Sequence, residues 1–226
     1  MPGAAASNSI NAGNCLDMAY DLEEQEQLES LKAWWKQYGN AVTWALIVAL
    51  LAFAGWAGWN YWQRTQARDA AQLYEQVTKA AEVRDADRVK RAATDLEDKF
   101  GRTAYGPMSA LTAAKVLYDA GDLAGAKAQL QWAIDHGGDD YAPLARVRLA
   151  GVLLDEKAYD QGLALLKDEP AQYEALFADR RGDLLAAQDK REEARAAYRR
   201  ALEKLGSGEA GMRQIIQFKL DALGTA

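Results

Sequence analysis

The chain has 226 residues, 33 acidic against 27 basic side chains, a net charge of −6 and one cysteine. This acidic balance leaves no electrostatic footprint for nucleic acid, and a single cysteine excludes an internal disulfide framework and a cysteine-based metal site. The length allows one domain of ordinary size together with appended segments.

The first forty residues divide into two parts of different composition. Residues 1–17 (MPGAAASNSINAGNCLD) are mostly Ala, Ser, Asn and Gly with little apolar bulk, so we expect them to be disordered. Residues 18–40 are acidic and amphipathic, which predicts a short helical arm with a local break at Gly39-Asn40. The change at Met18 suggests that translation begins there, which the intact mass of the natural protein would test. The apolar side chains of the arm are Leu22, Leu28, Leu31, Trp34 and Trp35.

Residues 41–62 are apolar and predict a transmembrane helix. They lie in an uncharged interval from Gln37 to Gln63, and a bilayer core requires about 20 predominantly apolar residues in a helix. Tryptophans gather towards both ends of the segment, where the indole ring favours the lipid headgroup region. The predicted span and interface anchors are Trp34, Trp35, Trp44, Trp56, Trp59 and Trp62.

Two other interpretations of this segment stay open from the sequence. A cleaved signal peptide fits the small-x-small pattern of Ala52-Phe53-Ala54, although the preceding region is acidic and about 40 residues long. A buried helix of a soluble domain fits less well, because the segment has no polar face.

Residues 63–205 have the pattern of helical repeats. Alanine, leucine and charged residues dominate, which favours helix. Three stretches share one order of small and large residues around a turn: LTAAKVLYDAGDLAGAKAQLQWAI, LAGVLLDEKAYDQGLALL and RGDLLAAQDKREEARAAYRRAL. This order resembles the 34-residue tetratricopeptide pattern, in which a small residue on one helix admits a large one from its partner. The predicted packing positions are Ala114, Leu117, Gly121, Ala126, Leu130, Ala133, Ala150, Leu153, Tyr159, Gly162, Leu166, Gly182, Leu185, Ala194, Tyr198 and Ala201.

The remaining segments complete an expected all-α fold: a single N-terminal transmembrane helix, a tetratricopeptide-like α-solenoid and a C-terminal capping helix. Residues 65–83 and 85–100 predict a more divergent helix pair, and Pro143 and Pro170 are expected between helices. Within residues 206–226, GSGEAG predicts a break and residues 212–223 predict a closing helix over the last repeat. The apolar residues available for its packing are Ile215, Ile216, Phe218, Leu220 and Leu223.

The sequence offers no set of residues that would support catalysis, a metal site or a cofactor. His136, the only histidine, lies in the polar stretch DHGGDD without a nucleophile context, which favours a solvated side chain. The glycine-rich GSGEAG lacks the Lys-Ser/Thr of a phosphate loop. The basic residues of 191–200 alternate with glutamates, which predicts ion pairing along one helix rather than a nucleic-acid surface.

The chain from Met18 onwards resembles the YfgM-like family, the ancillary subunits of the SecYEG translocon in Gram-negative bacteria. The resemblance rests on the acidic arm DLEEQEQLESLKAWWKQYGN, the span ending in GWNYWQ, and AYGPMSALTAAKVL at the first clear repeat. FADRRGDLLAAQDKREEARAAYRRAL and the tail MRQIIQFKLDAL also fit, in order and without large gaps.

This resemblance implies a single-pass protein of the bacterial inner membrane, with a cytoplasmic N-terminus and a periplasmic repeat domain. Membrane lipid is the expected partner of the span itself. It implies two partners, the SecYEG translocon and a membrane-anchored periplasmic chaperone of the prolyl-isomerase-like type. The flanking charges do not give the orientation by themselves. Lys32 and Lys36 precede the span, while Arg64, Arg68 and Lys79 follow it, and long domains translocate largely regardless of charge.

Three functions can be compared on this basis. The leading one is a non-enzymatic adaptor of protein export, in which the repeats bind a periplasmic chaperone or emerging proteins. The alternative is a regulatory scaffold whose repeats hold a signalling protein on the cytoplasmic side. An enzyme is disfavoured, because the sequence provides no acid–base constellation.

Overall fold

The computed structural model describes residues 11–224, with side chains from residue 28 onwards. Within this part the chain forms nine α-helices, one 3₁₀ turn and no β-strand, which confirms the expected all-α fold. The helices are α1 (Asn11–Glu82), α2 (Ala86–Phe100), α3 (Tyr105–Asp119), α4 (Leu123–His136), α5 (Gly138–Asp155), α6 (Tyr159–Leu165), α7 (Glu174–Ala187), α8 (Arg191–Lys204) and α9 (Ala210–Ala222). The 3₁₀ turn, Ala171–Tyr173, lies between α6 and α7.

Helix α1 differs from the sequence prediction in two places. Residues 11–17 are helical and not disordered, while the rest of the predicted disordered segment, 1–10, lies outside the described residues. The predicted break at Gly39-Asn40 is absent, because the helix continues through it. Trp35 covers Gly39, and the Thr43 hydroxyl donates a hydrogen bond to the Gly39 carbonyl at 2.7 Å. A single glycine costs a helix only about 1 kcal/mol, so it need not end one.

The chain divides into two compact units, residues 1–62 and residues 63–226. In the first unit the large apolar side chains between Leu28 and Trp62 are exposed, apart from the half-buried Val42, and α1 is long and apolar enough to cross a membrane. The buried soluble helix considered above therefore does not describe this segment, since none of its most apolar stretch is buried in the structure.

In the second unit, four helix pairs follow one another and α9 packs on the last pair. The pairs are the end of α1 with α2, α3 with α4, α5 with α6, and α7 with α8. Each pair turns through one residue with positive φ: Arg84, Gly121, Lys157 and Asp189. In each turn the following amide donates to a carbonyl five residues earlier, for example Asp122 N to Leu117 O at 2.8 Å. Because residues 63–100 have the same turn, they form a further repeat, although their sequence diverges from the pattern of the other three.

Small residues on one helix of a pair accommodate large residues from the neighbouring helices. A Cβ added to Gly182 on α7 would lie 2.4 Å from Cε1 of Tyr198 on α8. A Cβ added to Gly162 on α6 would lie 2.9 Å from Cδ2 of Leu184 on α7. The absence of side chains at these two glycines lets the helices approach closely enough to bury Tyr198 and Leu184.

Two expectations about proline and the last helix need correction. Pro143 lies inside α5 rather than between helices. It sits near the helix start, and the Asp139 carbonyl that its missing N–H leaves free is approached by Gln172 Nε2 at 3.5 Å. Pro170 does lie between helices, directly before the 3₁₀ turn. On α9 only Ile216 of the predicted packing residues is fully buried, whereas Ile215 and Phe218 are 58% and 75% exposed.

Candidate binding groove on the helical repeats

An open groove crosses the first helices of three successive pairs, α3, α5 and α7. Its volume is about 550 Å³. Helical periodicity brings its lining to one side of the central helix, since Arg148, Gly151 and Asp155 follow one another at intervals of three and four residues on α5. The remaining lining residues are Ala114, Lys115, Tyr118, Leu130, Val152, Leu154 and Arg180.

Arg148 is the groove's least neutralised charge. One terminal nitrogen donates to the Leu111 carbonyl at 3.3 Å, and no carboxylate of residues 28–224 lies within 4 Å of its guanidinium. Partial burial lowers the pKa of Arg148 from its ordinary value, with no opposing contribution from an acidic neighbour. The side chain still remains charged, because an arginine pKa starts far above neutrality.

Arg180 enters the groove from α7 and lies against α5. A Cβ on Gly151 would be 3.3 Å from its guanidinium carbon, so the absence of a side chain there makes room for the charged group. One terminal nitrogen pairs with Asp183 at 3.1 Å. Its Nε is buried and has no hydrogen-bond partner among the described residues. The ion pair therefore fixes the Arg180 guanidinium, while its Nε–H donor has no acceptor among those residues.

Tyr118 and Asp155 close the other side of the groove. The Tyr118 hydroxyl donates to the Asp155 carboxylate, linking α3 to α5. This hydrogen bond raises the pKa of Tyr118, because ionisation would remove the donor and oppose the carboxylate charge. The pair fixes Asp155, which is the acidic side chain that lines the groove among the described residues.

The residues singled out from the sequence occupy other places. The six predicted interface tryptophans are all exposed along α1. Among the sixteen predicted packing positions, Gly121 is exposed in a turn, Tyr159 is half-buried, and the other fourteen are buried. Only Ala114 and Leu130 of these positions also line the groove.

Sequence reasoning missed the groove arginines, although a signal was present. Arg148 and Arg180 each precede the small residue of their repeat, Ala150 or Gly182, by two positions. A basic residue recurring with the repeat period marks one face of successive helices, and here that face lines the groove.

The other polar residues considered from the sequence have structural surroundings. His136 ends α4 and stacks on Trp132, with ring centroids 4.3 Å apart. In residues 191–200 the expected pairing along one helix holds only for Arg195 with Glu192, at 2.6 Å, whereas Arg200 pairs with Glu169 of another segment. The described residues contain no group of three or more potential metal ligands.

The described residues thus define a membrane protein with one candidate span and a tetratricopeptide-like domain that carries an open groove. A family described as "Tetratricopeptide repeat-like domain" matches residues 32–225. A Neisseria gonorrhoeae protein named "Ancillary SecYEG translocon subunit" is 33% identical over 91% of this chain and its own full length. Proteins of the same name match from Haemophilus influenzae (28% identical, 91% of this chain, all of the relative) and Escherichia coli K12 (26%, 77% and 85%). The chain belongs to this family of tetratricopeptide repeat-like ancillary translocon subunits.

Proposed function

We propose that this protein is a membrane-anchored adaptor of the SecYEG translocon. The observation that carries the proposal is the match over the full length of a relative named as an ancillary subunit of that translocon. Two features of the chain support it: an apolar helix able to cross a membrane, and a groove on the repeats suited to protein segments.

In this proposal the repeats bind a membrane-anchored periplasmic chaperone or the proteins that emerge from the channel. Stacked helix pairs create extended concave surfaces, which repeat proteins of this kind use for binding. The groove has the composition such a role requires, since apolar residues and three cationic side chains lie together on one face. The orientation that belongs to it places the N-terminus in the cytoplasm and the repeats in the periplasm.

Site-specific photocrosslinking in intact cells tests the adaptor role. A photoreactive amino acid at Lys115 reports on the groove, and the same amino acid at Arg199, exposed on α8, provides the matched control. We expect the probe at Lys115 to capture a translocon subunit, the periplasmic chaperone or a protein in transit, and the probe at Arg199 to capture less. Recovery of none of these from either position would contradict the proposal. Capture of a cytoplasmic signalling protein would support the alternative scaffold.

A further inference from the structure

The groove carries excess positive charge on a protein that is acidic as a whole. Lys115, Arg148 and Arg180 face one acidic lining residue, Asp155, whereas the entire chain has a net charge of −6. Lys115 is paired with Asp119 at 2.7 Å and Arg180 with Asp183 at 3.1 Å, which leaves Arg148 as the groove cation that has no carboxylate within 4 Å among the described residues. A local charge opposite in sign to the rest of the molecule favours an anionic ligand.

The two guanidinium groups also have unused hydrogen-bonding capacity. Each guanidinium has five N–H donors in a planar fork. Within the described residues, Arg148 donates one hydrogen bond to a backbone carbonyl and Arg180 donates one to Asp183, so each guanidinium keeps further N–H donors. A carboxylate supplies two acceptor oxygens in the same plane and is the natural complement of such a donor set.

The remaining lining is mostly apolar, which restricts the kind of anion that fits. Ala114, Leu130, Val152 and Leu154 surround the charged groups. A small hydrated anion would leave this apolar surface exposed to water. A ligand that carries apolar side chains next to its carboxylate would cover the surface. Helices pack about 8–10 Å apart, so three helices span roughly 20 Å, which an extended chain crosses in about six residues.

We propose that the groove binds extended polypeptide segments in which one internal Asp or Glu lies between apolar residues, with Arg148 and Arg180 receiving its carboxylate. The acidic side chain is internal because Arg148 lies on α5, the middle helix, so a bound chain continues over α3 on one side and α7 on the other. This assignment of ligand chemistry rests on the adaptor function proposed above.

The test measures peptide binding to the full chain in nanodiscs of neutral phosphatidylcholine. One labelled peptide, capped at both ends, carries a central Glu between Leu and Val residues; a second carries Gln instead. A third carries Gln and a free C-terminal carboxylate, and soluble glycerol phosphate serves as a competitor that represents a lipid headgroup. We expect the Glu peptide to bind about tenfold more tightly than the capped Gln peptide, as charged hydrogen bonds allow.

Substitutions identify the residues responsible. Arg148→Gln should abolish the preference for Glu, and Arg180→Gln should reduce it. The matched control, Arg199→Gln on the exposed face of α8, should leave it unchanged. Because Arg148 lies at the surface of the groove and is only partly buried, its replacement is expected to keep the fold, which circular dichroism verifies.

Four results would overturn the assignment: equal binding of the capped Glu and Gln peptides, an undiminished preference in Arg148→Gln, equally tight binding of the C-terminal carboxylate, or displacement by glycerol phosphate. Crosslinking of the Arg148→Gln protein in cells distinguishes a failure of the proposed ligand chemistry from a failure of the proposed adaptor role. Translocon capture without a Glu preference would reject only the ligand chemistry, and loss of all capture by the unsubstituted protein would reject the adaptor role itself.

Discussion

Arginine side chains hold the ends of helices in the repeat domain. Arg195 is buried in α8, and one of its terminal nitrogens donates to the carbonyls of Leu223 and Gly224 just beyond α9. Arg146 donates to the carbonyls of Leu165 and Asp168 at 2.7 and 2.8 Å, at the end of the short α6. Carbonyls at and beyond a helix C-terminus have no donor within the helix, so the guanidinium groups supply the hydrogen bonds that these acceptors would otherwise lack.

Glu97 is a half-buried acid on α2 next to Gln129 of α4. One oxygen of each side chain, Glu97 Oε1 and Gln129 Oε1, is buried without a hydrogen-bond partner in the described part of the chain. Burial raises the pKa of Glu97 to about 7, while the hydrogen bond from Gln129 and the nearby His136 act in the opposite direction and Asp98 adds to the rise. Protonation of Glu97 would turn one carboxyl oxygen into a donor in a place where both unpartnered oxygens are acceptors.

The free energy of unfolding should therefore depend on pH through Glu97. The folded-state pKa of Glu97 lies above its ordinary value of 4.5, so the stabilising contribution of this residue is fully present below pH 4.5 and is lost as the pH rises through about 7. We expect Glu97→Gln, which keeps a donor at all pH values, to raise the urea midpoint of the full chain in detergent at pH 8 relative to the parent. At pH 5 the difference should shrink. Glu203→Gln, on the exposed face of α8, is the control, and an equal gain at both pH values would contradict the role of Glu97 ionisation.

At the scale of elements, α7 and α8 approach each other through Gly182. Because a Cβ there would overlap the Tyr198 ring, Gly182→Ala must displace a side chain that is buried and hydrogen-bonded to Asp183 at 2.9 Å. We expect it to lower the free energy of unfolding by about 1–3 kcal/mol, as overpacking does. Gly211→Ala, in the first turn of α9 with open space around its Cα, should be neutral or stabilising by up to about 1 kcal/mol. Urea unfolding followed by circular dichroism measures both, and equal effects would refute close packing at Gly182.

The sequence pattern was sufficient to predict the helical repeats, although not every helix boundary, and insufficient to predict the groove. Small and large residues alternate by repeat, so the positions of Ala114, Ala150 and Gly182 predict the fold from local spacing. The turns at Arg84, Lys157 and Asp189 were less visible, because positive φ in these turns does not depend on glycine. The groove depends on which face of α5 meets its neighbours, and α9 exposes Phe218 for the same kind of reason. The packing between helices determines both the groove and the exposure of Phe218, and the periodicity of one helix gives no information about that packing.

At the scale of the whole chain, function depends on which side of the membrane the repeats occupy. The charge balance around the span is nearly even, with two basic residues shortly before it and three shortly after it. The positive-inside rule acts through such residues in short loops, whereas a long domain translocates largely regardless of them. The adaptor role requires the repeats to lie in the periplasm, so the topology can be tested independently of any partner.

Cysteine labelling makes this test in a Cys15→Ser background, which removes the one native cysteine. Ser207→Cys places a thiol in the exposed loop between α8 and α9, and Glu29→Cys places one at an exposed position before the span. We expect a membrane-impermeant maleimide, applied to cells with a permeabilised outer membrane, to label Ser207→Cys and to leave Glu29→Cys unlabelled. Both should react after lysis, which controls for thiol accessibility. The opposite pattern would place the repeats in the cytoplasm and favour the regulatory scaffold, since a groove on that side could not receive proteins that emerge from the channel.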